Sequence, residues 1–183
     1  MSTSRLFEQF EANPDDHRAF SALVKHLVGS EDRAALQDVY DRMPVWATDG
    51  ASSALMRVLL QEARTAPEGE IGDFLHLSNG LVLWRHFDDA QKAEMSFRKI
   101  QAKGQDDDTL HDFYMEYYTA QKNWRRLEQF LTDGAGPAAN PTEIKRLLGK
   151  LTEEHDQPER AITFWQGILR EHPDDTEADM ALG

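Results

Sequence analysis

Ala93, Leu127 and Ala161 stand 34 residues apart, and Phe97, Leu131 and Trp165 follow them by four positions. Trp84, Tyr118 and Thr152 keep the same interval on what the pattern predicts to be the preceding helix. A self-similarity of this length is one helix-turn-helix unit, which buries its apolar side only when neighbours stack on it. The spacing predicts an all-α fold, a right-handed α-α superhelix (solenoid) of antiparallel helix hairpins, as a single array over residues 1–183. Such an array offers a long binding surface rather than an enclosed catalytic pocket.

The unit from Pro141 to Pro173 is the clearest. Ile144, Leu147, Leu148 and Leu151 form one apolar stripe, and Ala161, Ile162, Trp165 and Ile168 form another, divided at Asp156-Gln157-Pro158. Pro158 suits a first helical turn, and Pro173 stops the second helix before Asp174 and Asp175. Hairpins are expected at about 17–43, 69–103, 107–132 and 142–171. Asp106, Asp107 and Asp108 read as a helix cap, since a calcium loop needs alternating acids, a turn glycine and a distal Glu. The stretch 133–141 reads as a linker inside the stack.

Towards the N-terminus the register changes. Asn13-Pro14-Asp15-Asp16 matches His172-Pro173-Asp174-Asp175, and Phe20, Leu23, Val24 and Leu27 face Leu36, Val39 and Tyr40. Leu36 takes the slot of Ala93 but lies 23 residues out of the 34-residue register. One odd helix near 51–64, striped by Leu55, Val58, Leu59 and Ala63, accounts for the offset. It falls between a break at Pro44-Val45-Trp46 and a turn at Pro67-Glu68-Gly69, so an irregular junction is expected over 45–75.

Composition excludes several classes. Zero cysteines rule out disulfides and thiolate metal sites and accord with a reducing compartment, so a cytoplasmic location is expected. No apolar run approaches the length of a membrane span, and Met1–Glu8 turns polar too soon for a secretory signal. A net charge of −13 disfavours nucleic acid and favours a basic peptide or protein face, besides serving solubility. No His-Glu-x-x-His occurs, no two of the 7 histidines stand three or four residues apart, and no Gly-x-Ser-x-Gly or glycine-rich phosphate loop is present. No catalytic residue, metal or cofactor is predicted.

The residues Leu148-Gly149, Ala161, Trp165 and Pro173 resemble the tetratricopeptide repeat family, which joins Trp, Leu-Gly and Tyr on one helix to Ala, Phe and Pro on the next. Lys145, Thr152 and Ile168 stand where that family usually has Trp, Tyr and a small residue, and Leu36 and Leu127 replace Ala. Such loosened units are also similar to the half-repeats of RNA-processing assemblies.

In tetratricopeptide arrays the first helix of each hairpin lines a concave groove. The resemblance therefore implies Arg18, Ser21 and Lys25, then Ser78, Asn79 and Val82, then Asp112, Phe113 and Glu116, then Arg146 and Lys150 as partner-binding positions. Arg18 with Lys25, or Arg146 with Lys150, would receive peptide carboxylates. In the dense group Phe113, Tyr114, Tyr117 and Tyr118, the phase assigns Tyr114 and Tyr118 to the core and leaves Phe113 and Tyr117 to anchor a ligand. The expected role is a protein–protein interaction scaffold without catalysis. The alternatives are a self-associating piece of a larger assembly and a half-repeat RNA-processing scaffold. Residues 174–183 restart a repeat and stop at Leu182-Gly183, so homo-oligomers through an uncapped C-terminal end belong to the expectation.

Overall fold

Asp and Asn side chains open many of the helices, which accounts for part of the chain's acidity. In the computed structural model, which describes residues 2–49, 53–102 and 108–183, Asp16, Asp32, Asp89, Asn123, Asn140 and Asp175 each accept a backbone N–H from the turn they start. Such caps satisfy N–H groups that have no partner within the helix. Asp106 and Asp107 lie outside the described residues, and Asp108 is the first residue of its helix.

The described residues form α-helices and no strand. In chain order these are α1 (Thr3–Ala12), α2 (His17–Gly29), α3 (Arg33–Trp46), α4 (Ala54–Thr65), α5 (Glu70–Arg85), α6 (Ala90–Phe97), α7 (Asp108–Ala120), α8 (Trp124–Ala135), α9 (Pro141–Glu154), α10 (Pro158–Glu171) and α11 (Thr176–Leu182). A short 3-10 turn, Gly136–Ala138, follows α8.

Four tight turns share one conformation. Glu31, Asp88, Lys122 and Asp156 have φ of 52–57°, the left-handed region. The residue after each returns its N–H to the helix just ended, onto the carbonyls of Leu27, Leu83, Tyr118 and Thr152, at 2.8–3.0 Å. This closes the carbonyl end of one helix while the same residue or its neighbour opens the next. The turns join α2 to α3, α5 to α6, α7 to α8 and α9 to α10, and the last three fall at the 34-residue interval. α4 stands between the first and second of these pairs.

The chain divides into two compact units, Met1–Lys103 and Gly104–Gly183. In the first, α2 packs on α1, α3 and α4, while α5 packs on α3, α4 and α6. The helix out of register is thus no bystander: α4 packs on both α2 and α5, and its Leu55, Met56, Leu59 and Ala63 are buried. Ala51 and Ser52, placed in that helix by the sequence pattern, lie outside the described residues.

Three details of this unit differ from the sequence reading. α1 has no counterpart there, because Leu6, Phe7 and Phe10 make too short a stripe for periodicity to reveal. The chain does not break at Pro44: α3 runs through it to Trp46. The reason is packing, since the Trp46 ring lies 5.0 Å from Phe10 and 6.3 Å from Phe20, centroid to centroid. Such aromatic contacts, with the burial they bring, offset the cost of a proline within a helix, about 3 kcal/mol. Finally, α6 ends at Phe97 rather than continuing to about residue 102.

In the second unit α8 packs on α7 and α9, and α10 packs on α9 and α11. Ala161, Trp165, Ile168 and Ala178 form one buried cluster, and Trp124, Leu127 and Leu148 another. Two positions of the expected stripes, Leu147 and Ile162, are exposed at 38% and 44%. α8 extends to Ala135 and so takes in Gly134, which the sequence reading gave to a linker.

Candidate interaction surfaces

Seven residues of α-helix make two turns and bring a side chain back to nearly the same direction. Arg18 and Lys25 are related in this way on α2, and both are exposed; Ser21 between them is half-buried. Arg18 donates its backbone N–H to the Asp16 Oδ1 cap at 3.1 Å, and the residue is exposed.

The positions expected on α5 are different. Asn79 is completely buried: its Oδ1 accepts the Tyr40 hydroxyl at 2.7 Å, and its Nδ2 donates to the Leu59 carbonyl at 3.1 Å. Ser78 is buried as well, and Val82 is half-buried. Asn79 is therefore removed from the set of partner-binding residues. A buried amide must find partners within the protein, and this one ties α5 to α3 and α4. Burial also pushes the Tyr40 hydroxyl far above its ordinary pKa, so it stays a hydrogen-bond donor.

On α7, Asp112 and Glu116 are exposed and about one turn apart. Phe113 is not: it is 1% exposed, stacked on Tyr117 at 5.3 Å and edge-on to Tyr114 at 5.1 Å. The anchor expected at Phe113 is thus a core residue, because the ring is worth more against other rings than in water. Tyr114 is fully buried, while Tyr117 and Tyr118 are half-buried.

Arg146 and Lys150 do receive carboxylates, but from their own chain. Arg146 donates to Asp175 Oδ2 at 2.8 Å and to Glu177 Oε2 at 2.6 Å, and Lys150 Nζ lies 2.8 Å from Glu177 Oε1. Asp175 also caps α11 by accepting the Ala178 N–H at 2.9 Å, and Ala178 is completely buried. The Arg146 hydrogen bond, with the Ala178 N–H adding to it, holds the Asp175 carboxyl down at about 2. Hydrogen bonds from Lys150 and then Arg146 lower Glu177, and the bond to Asp175 raises Arg146. These two cations clasp α11 to α9 and are spent on that contact.

Of the expected partner-binding side chains, Arg18, Lys25, Asp112 and Glu116 remain open to solvent. Two residues not singled out in the sequence join them: Arg57 and Arg64, exposed on α4 and spaced like Arg18 and Lys25. That shared seven-residue interval was the available signal. Among the described residues, no three His, Cys, Asp or Glu side chains are grouped to hold a metal ion, and no helix is long and apolar enough to cross a membrane. Compared with protein-family models, with curated proteins and with solved structures, the chain matches none.

Proposed function

We propose that this protein is a tetratricopeptide-like scaffold, a superhelical array that binds a segment of another protein and carries out no catalysis. One recurrent contact supports the reading. Gly80 of α5 lies against the Phe97 ring of α6, and Gly149 of α9 lies against the Trp165 ring of α10. The glycines are 69 residues apart and the rings 68, two periods of 34 to within one residue. A glycine lets the helices of a pair approach, and an aromatic ring fills the approach, which is the packing that a repeat array needs. A chain without cysteine suits the reducing cytoplasm.

Arg18, Lys25, Asp112 and Glu116 are the side chains this reading gives to the partner. Selection from a displayed peptide library with the full chain tests it. The expected result is an enriched sequence family whose binding falls about tenfold in at least one of Arg18→Glu, Asp112→Arg or Glu116→Arg. Absence of enrichment over bare resin, or binding indifferent to all three, overturns it. Self-association is the second reading, favoured by Ile162 on α10 and by Met180 on α11, which is 80% exposed. Light scattering distinguishes the two, since self-association makes the mass grow with concentration.

A further inference from the structure

Among the described helices, only α5 and α10 carry an acid in the first turn and a base in the last. α5 is enclosed: it packs on α3, α4 and α6, and its Glu70 lies 3.9 Å from Arg33. On α10, Glu159 and Arg170 are exposed and make no ion pair with another helix among the described residues. Eleven residues of helix make three turns and about 20° more, so the two charges share one side, about 16 Å apart along the axis. Between them on that side lie Ile162, 44% exposed, with Thr163 and Gln166, also exposed, and half-buried Leu169 at the edge. Gln166, Leu169 and Arg170 line an open hollow. The opposite side, with Ala161, Trp165 and Ile168, is buried in the cluster that holds Ala178.

We propose that this face of α10 pairs with the same face of a second copy, the two helices antiparallel about a two-fold axis. Such an interface is self-complementary, so what one copy offers at one end it must accept at the other. Charge fixes the occupant. Setting Glu159 of one copy beside Arg170 of the other sets Arg170 beside Glu159 as well, and the same register brings each Ile162 level with the hollow of the other copy. Parallel pairing would instead oppose Glu159 to Glu159 and Arg170 to Arg170. The macrodipole alone favours an acid first and a base last, but it does not call for an exposed isoleucine between them on the same side. One pair of helices covers less than the roughly 800 Å² per partner of a stable interface, so the dimer is weak, forming on the order of 100 μM. The inference goes beyond the scaffold reading, whose side chains lie on other helices, and it differs from open-ended self-association in closing at two copies.

Sedimentation equilibrium of the full chain from about 10 μM to about 1 mM tests this. The mass is expected to rise towards that of two chains and stop there. Glu159→Arg and Arg170→Glu each set like charges together at both ends of the pair and are expected to weaken it by about tenfold or more. An equimolar mixture of these two variants restores opposite charges at both ends and is expected to pair as the unsubstituted chain does. Ile162→Lys, at an exposed position, is expected to weaken pairing without reversing either charge, and it keeps the test open should a charge reversal disturb the helix. A mass that stays at one chain throughout, a mass that passes two, or a mixture no better paired than its components overturns the inference. A library-selected ligand whose binding Ile162→Lys abolishes, on a chain that stays monomeric, assigns the face to another protein and overturns it too. The scaffold reading is tested through Arg18, Asp112 and Glu116, so either can fail without the other.

Discussion

A β-carbon on Gly149 would stand 2.7 Å from Cε2 of Trp165, closer than carbon atoms pack. The ring is 2% exposed, and its Nε1 donates to Glu153 at 2.8 Å, so it cannot swing aside without losing that bond. Gly149→Ala is expected to cost about 1–3 kcal/mol in urea unfolding through overpacking. Gly80→Ala should behave alike, its β-carbon falling 2.5 Å from Phe97 Cε1. Gly29, with nothing within 4 Å of its β-carbon, is the control: Gly29→Ala is expected to be neutral or stabilising by up to about 1 kcal/mol. Equal losses at all three glycines would contradict the close-approach account.

The buried amide of Asn79 has two partners that are distant in sequence, Tyr40 and the Leu59 carbonyl. Tyr40→Phe removes one donor and is expected to cost about 1–2 kcal/mol, and Asn79→Ala more, because it also strands the hydroxyl. In the double variant the two costs should fall short of their sum. Strict additivity in thermal or urea unfolding would mean that the pair is not coupled.

Asp175 gives α11 a pH dependence with a definite sign. Its carboxyl is depressed to about 2 in the folded chain, so the clasp on Arg146 is complete above the ordinary carboxylate range and fades as pH falls through about 2. Glu177, also depressed, acts in the same direction. The protection of Ala178 and its neighbours against hydrogen exchange, taken relative to the intrinsic rate at each pH, is expected to fall between about pH 4 and pH 2. In Asp175→Asn the protection should already be lowered at neutral pH. Protection in α11 that changes with neither pH nor the substitution would show that the apolar contact of Ala178 alone holds the helix.

The left-handed turn residues are open to substitution. At Lys122, with φ of 53°, Lys122→Gly should be stabilising by about 1 kcal/mol, since only glycine adopts this conformation without cost. Lys122→Val, β-branched, should be destabilising by about 1–2 kcal/mol. The order Gly above Lys above Val in melting temperature checks the turn geometry.

Removal of Phe113 separates a core role from a binding role. Phe113→Ala is expected to lower stability by about 3–5 kcal/mol, and Asp112→Ala by less than about 0.5 kcal/mol, in chemical unfolding. A stable Phe113→Ala variant would return this ring to the list of partner anchors.

Caps, prolines and apolar stripes are local signals, so the helical class, most helix starts and the 34-residue spacing could be read from residues near one another in the chain. The offset helix was legible for the same reason, as a stripe that broke the register. Its neighbours were not, because which helix covers Leu59 depends on contacts across α2 and α5. Asn79 and Phe113 carried ordinary surface-compatible phases, and only their distant or tightly packed partners put them inside. The left-handed turns were hidden too, since Glu31, Asp88, Lys122 and Asp156 share no side-chain type, only a position in the hydrogen-bonding scheme. Arg146 and Lys150 show the division most plainly: their charge and spacing announced carboxylate binding. The identity of the carboxylates, Asp175 and Glu177, follows from how α11 comes to rest on α9 and α10. Local chemistry specifies what a side chain can bind, and the packing of remote segments specifies what is within its reach.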